Sequence, residues 1–201
     1  MRRHYRPQGD RIYNFALFLH LLGVVLLVGA VTTTLVATLR AQTTGSVAEL
    51  RSLTAATKRI EVVMIPAMLL IIGPGLYMVS RHGGDGSIPW SAGWVGTALV
   101  VAVLLAVIGS TVEAGYAQRL RDAIASASGE PPHDDLSELQ RASIPIYVSF
   151  FGGSQIVALL FLMTIKPGLA GSIAACAVAA AASAIVASVR IRAVRRNVPL
   201  G

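Results

Sequence analysis

The chain has 201 residues, of which 54% are hydrophobic and only 13% charged, with a net charge of +7. Soluble domains carry about 25% charged residues, so a water-soluble globule is excluded. The length fits one domain, and the single cysteine, Cys176, excludes an intrachain disulfide and a paired-cysteine redox or zinc motif.

Residues 1–11 (MRRHYRPQGDR) are polar and basic, with Pro7 and Gly9 set against helix, and read as a flexible basic tail. The apolar run that follows, 13–39, holds no charged residue and one histidine, His20. It is too long for the apolar core of a signal peptide, roughly 7–15 residues, and reads as a retained helix. About 20 apolar residues suffice to cross a bilayer, so this run spans with room for tilt. The polar stretch after it contains Ser46 and Glu49, spaced as a capping box in which each side chain bonds the other's backbone N–H. Val47, Leu50, Leu53 and Ala56 recur at helical spacing. They predict a short amphipathic helix at the membrane surface, or a solvated connector helix, running into a second span over 60–79.

That second span contains Pro66 and the triplet Gly73-Pro74-Gly75. Pro74 cannot donate to the Leu70 carbonyl, so a kink is expected there and the freed carbonyl needs another partner in lipid. Tyr77, Trp90 and Trp94 gather around the next turn, as amphipathic rings do at a membrane–water interface. A third span covers 91–113, closed by Glu113, and its helix is expected to continue into water until Gly129. After the acidic loop 130–141 a fourth span, 144–165, carries Gly152-Gly153-Ser154-Gln155. Lys166-Pro167-Gly168 is a turn, and the fifth span, 169–189, is built from small residues. Small side chains let helix backbones approach, so this helix is expected to be packed against others rather than bathed in lipid. A basic tail, 190–201, ends the chain.

The fold class is therefore all-α: a polytopic membrane bundle of five transmembrane helices within 12–189, with short amphipathic helices in the loops. With the N-terminus outside and the C-terminus inside, eleven basic residues fall on the inner side and six on the outer. The positive-inside rule favours that orientation. The basic residues sit at the ends of apolar runs, which points to anionic lipid and not to nucleic acid.

An ionisable residue inside a span is a functional candidate. His20 lies about eight residues, ~12 Å by helix rise, below the start of its span. Counting equal depths places Gly73-Pro74, Gln155 and Cys176 near the same level, a candidate polar layer. As a haem or copper ligand His20 needs a second ligand at that depth, and only Cys176 qualifies by type, because His4, His82 and His133 fall in tails or loops. A proton relay would need an acid, and Glu113 is at the far end of its span. The structural alternative has His20 bonding a carbonyl freed by Pro74, or Gln155, and so joining two helices. Glu61 and Glu113, with Lys58, Arg59 and Arg119, read as an interfacial ion-pair cluster. His133-Asp134-Asp135 is a weak metal pattern, and Met64, Met68 and Met78 read as packing. No phosphate-binding glycine loop, no Ser/His/Asp arrangement and no inverted repeat is present, so no catalytic residue is assigned.

The first helix FLHLLGVVLLVGA, the basic loop, the LLIIGPGLY segment and the W-x3-W pattern at the third span resemble bacterial predicted integral-membrane proteins of unknown function, over roughly the first 120 residues. More distantly, the first-helix histidine resembles that of copper-resistance D-type and protoporphyrinogen-oxidase-like membrane proteins, which implies copper or haem at His20. The use of 15 arginines against two lysines suits a GC-rich bacterial genome. The expectation is an accessory or scaffold component of a bacterial inner membrane, with the lipid bilayer as its environment and without bound cofactor. It would self-associate through the small-residue face of the fifth helix. A haem- or copper-handling redox protein using His20 and a small permease with its path at Gly73-Pro74-Gly75 are the alternatives.

Overall fold

The computed structural model describes residues 7–83, 90–127 and 134–197. Among them the elements are α1 (Pro7–Ala41), α2 (Val47–Gly83), α3 (Gly93–Ile108), a π-helical turn (Gly109–Glu113), α4 (Ala114–Ser126), α5 (Asp134–Gln140), α6 (Ile144–Ile165) and α7 (Leu169–Asn197). Five stretches are long and apolar enough to cross a membrane. The all-α, five-span architecture expected from hydropathy is the one observed.

The first, second and last helices run beyond their expected spans, whereas the third rod stops at Ser126, short of the expected Gly129. Pro7 opens α1, where its missing N–H costs nothing because the first helical N–H groups have no partner anyway. At the other end α7 carries the basic tail in helix as far as Asn197. The 37 residues of α2 measure about 55 Å at 1.5 Å each, against a hydrocarbon core of about 30 Å. Its first turns therefore project from the bilayer as part of the same rod. The stretch α3, π turn and α4 does likewise on the same side.

Those projections meet. Val47 and Leu50 of α2, Leu120 and Ile124 of α4 and Leu136 of α5 form one buried cluster, flanked by Ala41, Tyr116 and Leu139. The start of α2 is thus neither a surface-lying membrane helix nor a solvated connector. Outside the bilayer its apolar side is in water unless covered, and α4 and α5 cover it. Only Val47 and Leu50 of the expected stripe are fully buried, while Leu53 is half-buried and Ala56 exposed. Two glutamines clasp this cap: Gln140 Nε2 donates to the Ala41 and Thr44 carbonyls at 2.8 and 3.0 Å, and Gln42 Nε2 to the Ala142 carbonyl at 3.3 Å. They satisfy the carbonyls that a helix end leaves without partners. Tyr116 donates to the Leu139 carbonyl at 3.0 Å. The Ser46 hydroxyl accepts the Glu49 N–H at 3.4 Å, while the Thr44 hydroxyl donates to Glu49 and accepts the Ser46 N–H at 3.2 Å. The Ser46 N–H that the expected capping box assigned to the Glu49 side chain is thus bonded by Thr44, which links it to Glu49.

Within the membrane, α1 packs against α2, α6 against α7, α1 against α6, and α3 against α6 and α7. The small-residue helix α7 is not enclosed as expected. Ser172, Ser183, Ala187 and Ile191 are buried along one side, and Ile173, Val178, Ile185, Val186 and Val189 lie exposed on the remainder. Close approach does occur where α3 and α7 begin. A carbon added at Gly93 would stand 2.5 Å from the Leu169 backbone, so no other residue fits there. On the same side, Lys166 lies 5.9 Å from the Trp94 ring centre and Arg81 5.6 Å from that of Tyr77, cations set against interfacial aromatics.

Candidate functional site

The α1–α2 contact is built on a seam of small residues at alternating steps of three and four. Ala16, His20, Gly23, Ala30 and Ala37 are buried, and Leu27 and Thr34 between them are half-buried. This 3.5-residue period is the one that keeps a seam facing a partner helix. At Gly23 the backbones come so close that an added carbon would stand 2.9 Å from the Ala67 carbonyl oxygen and 2.9 Å from Leu70 and Ile71 side-chain atoms.

One turn before Gly23, His20 is the one ring side chain of the seam. Its Nδ1 lies 2.8 Å from the Ile71 carbonyl oxygen. Space for the ring comes from Gly75, where an added carbon would stand 3.3 Å from Cε1 and Nδ1. In a regular helix the N–H of residue 75 bonds the carbonyl of residue 71. The glycine that admits the ring and the carbonyl that receives its hydrogen therefore belong to a single turn. The partner is Ile71 and not Leu70, the carbonyl without a donor because of Pro74. A neighbouring side chain needs room as well as an acceptor, and Gly75 gives that room beside Ile71. Because a carbonyl can only accept, Nδ1 carries the hydrogen, and in the neutral ring the lone pair lies on Nε2.

Gln155 and Cys176 form a second contact, between α6 and α7. The buried Gln155 donates from Nε2 to the Cys176 backbone carbonyl at 3.1 Å, so the main chain of Cys176 takes part in this contact. Further along the same pair of helices, Tyr147 Oη and Ser188 Oγ are 2.9 Å apart. The residues expected in one layer are thus joined as two helix-pair contacts, His20 with the Ile71–Gly75 turn and Gln155 with Cys176. Of the other two layer residues, Gly73 faces open space, with nothing within 4 Å of where a side chain would begin, and Pro74 is half-buried.

The interfacial cluster has a different cation from those expected. Arg121 Nη1 pairs with Glu61 Oε1 at 3.5 Å, and its Nη2 donates to Gln118 Oε1 at 3.0 Å. Glu113 ends the π turn, in the electrostatic reach of Glu61. Among the described residues no three His, Cys, Asp or Glu side chains come together as a metal site. His4 and His133 lie outside the described residues. Ile71 and Gly23 were not among the expected residues, and Gly75 was expected only as part of the kink, although the 3.5-residue run of small residues through His20 is visible in the sequence and points to a partner helix.

Residues 15–167 match the family described as "Predicted integral membrane protein (DUF2269)". No curated protein and no solved structure matches the chain.

Proposed function

We propose that this chain, which belongs to the DUF2269 family of predicted integral membrane proteins, serves as a non-catalytic accessory or scaffold component of a bacterial inner membrane. One observation carries the reading. Two buried polar side chains of the spans, His20 and Gln155, are each directed onto a backbone carbonyl of the adjacent helix. In hydrocarbon such contacts hold helices together. The open apolar side of α7 leaves a surface for a second copy or another membrane protein. The N-terminus lies outside and the C-terminus inside, an orientation supported by the eleven basic residues it places on the inner side against six on the outer. Reporter fusions at the two termini check this, and a cytoplasmic N-terminus refutes it.

A second reading has its own observation. The hydrogen bond from Nδ1 fixes the ring and leaves Nε2 with the lone pair, the second-shell arrangement common for metal-binding histidines. A haem iron or copper ion would take Nε2 as its ligand. Against it, the second ligand expected by type, Cys176, stands on α7, which packs against α6 and α3. Protein purified in mild detergent discriminates the two. The structural role predicts no Soret band, no stoichiometric copper and a lowered unfolding temperature in His20→Ala. A haem or copper signal that vanishes in His20→Ala overturns it.

A further inference from the structure

Where α2 and α4 leave the bilayer they enclose a groove of about 260 Å³, lined by Arg51, Thr54, Ala55 and Lys58 on one side and Arg121, Ile124 and Ala125 on the other. Three of these side chains are cationic. Arg121 is held in place by Glu61 and Gln118, and its charge is balanced by the Glu61 carboxylate. Arg51 and Lys58 are exposed, and neither side chain makes an ion pair or hydrogen bond among the described residues. The two are seven residues apart, so they share a helix face about 10 Å apart along the axis. The floor is apolar, and Ile124 within it belongs to the buried core of the cap, which gives the groove a rigid base. The groove thus combines two uncompensated positive charges, a fixed guanidinium and an apolar floor.

Its depth selects the ligand. The uncharged run of α2 begins at Val62. Lys58 is ~6 Å before that point and Arg51 ~16 Å before it. The headgroup layer on each side of a bilayer is roughly 5–8 Å thick. Lys58 and the Glu61-bound Arg121 therefore stand at the level of lipid phosphates, while Arg51 lies outward of the headgroup layer. A small soluble anion would not need this alignment with the bilayer. We propose that the α2–α4 groove binds the phosphate headgroup of an anionic phospholipid from the adjoining leaflet. The phosphate contacts Lys58 and Arg121, and the rest of the headgroup extends outward between Ala55 and Ala125.

The test does not depend on the accessory role. Full-length protein is reconstituted in nanodiscs of phosphatidylcholine with and without phosphatidylglycerol, and lipid retained after transfer to detergent is measured by native mass spectrometry. A basic residue near an anionic surface contributes about fivefold in affinity, so wild type retains phosphatidylglycerol preferentially and Lys58→Gln loses about fivefold of that preference. Lys58 is exposed, so the variant keeps the wild-type unfolding temperature in pure phosphatidylcholine. Lys166→Gln, at the opposite membrane face, keeps the preference. Equal retention of the two lipids by wild type, or an unchanged preference in Lys58→Gln, overturns the proposal. So does displacement of the bound lipid from wild type by millimolar inorganic phosphate, which would assign the groove to a soluble phosphate.

Discussion

The cap and the membrane bundle are held together by different means. In the cap, branched side chains cluster in the manner of a soluble core: Leu50 and Leu136 are almost wholly buried against Leu120 and Ile124. In the bundle the largest helix contact, α1 on α2, runs along alanine and glycine, and its specific feature is a histidine bonded to a backbone oxygen. Water is the cause of the difference. The projecting turns of α2 and α4 gain by hiding apolar surface, whereas inside lipid that gain disappears and only close packing and polar contacts distinguish one helix arrangement from another.

Substitutions that remove volume should therefore be felt most in the cap, and those that add volume most in the bundle. The largest effect is expected from Leu50→Ala, about 2–5 kcal/mol, because a fully buried side chain is lost from a water-facing core. Hydrogen exchange should show the loosening at α4 and α5 with the transmembrane parts of α1 and α6 still protected. Next is Gly23→Val, about 1–3 kcal/mol, since the new carbons meet the Ala67 and Leu70 positions of α2. Cross-linking between α1 and α2 cysteine pairs should fall in that variant, and a normal yield would show the seam to be looser than described. His20→Ala should cost about 0.6–1.7 kcal/mol, the range for single hydrogen bonds between membrane helices, read from thermal unfolding in detergent. Gln155→Leu should cost least, about 0.6 kcal/mol, because an apolar side chain of similar size suits the buried site between α6 and α7 and only the Cys176 carbonyl loses a partner. If His20→Ala proved more damaging than Leu50→Ala, the contrast between the two regions would be wrong.

The five spans were readable in the sequence because each is a long run with few charges, and lipid makes that requirement severe. His20 was readable as a residue facing the Pro74 turn, since a histidine at that depth must find a partner. Its acceptor was not, because choosing Ile71 over Leu70 depends on which side of α2 is cleared by Gly75. The cap was hidden for a different reason. Leu50, Leu120 and Leu136 stand among charged residues in segments that read as solvated, and nothing local shows that they converge. The Gln42 and Gln140 clasp joins residues separated by about a hundred positions, with no sequence pattern linking them. The π turn likewise leaves no mark in the residues Gly109–Glu113 that distinguishes it from ordinary helix.

That π turn gives the third rod two phases. A helix turns about 100° per residue, and a π turn accommodates an extra residue without ending the helix. On the lipid side the rod presents Val95 and Val101 inward, where it meets α6 and α7, and beyond the turn Leu120 and Ile124 face α2 and α5. The wide turn acts as a coupling between two gears. Each half of the rod meshes with its own neighbours, and the angular mismatch between bundle and cap is absorbed within the five residues that join them.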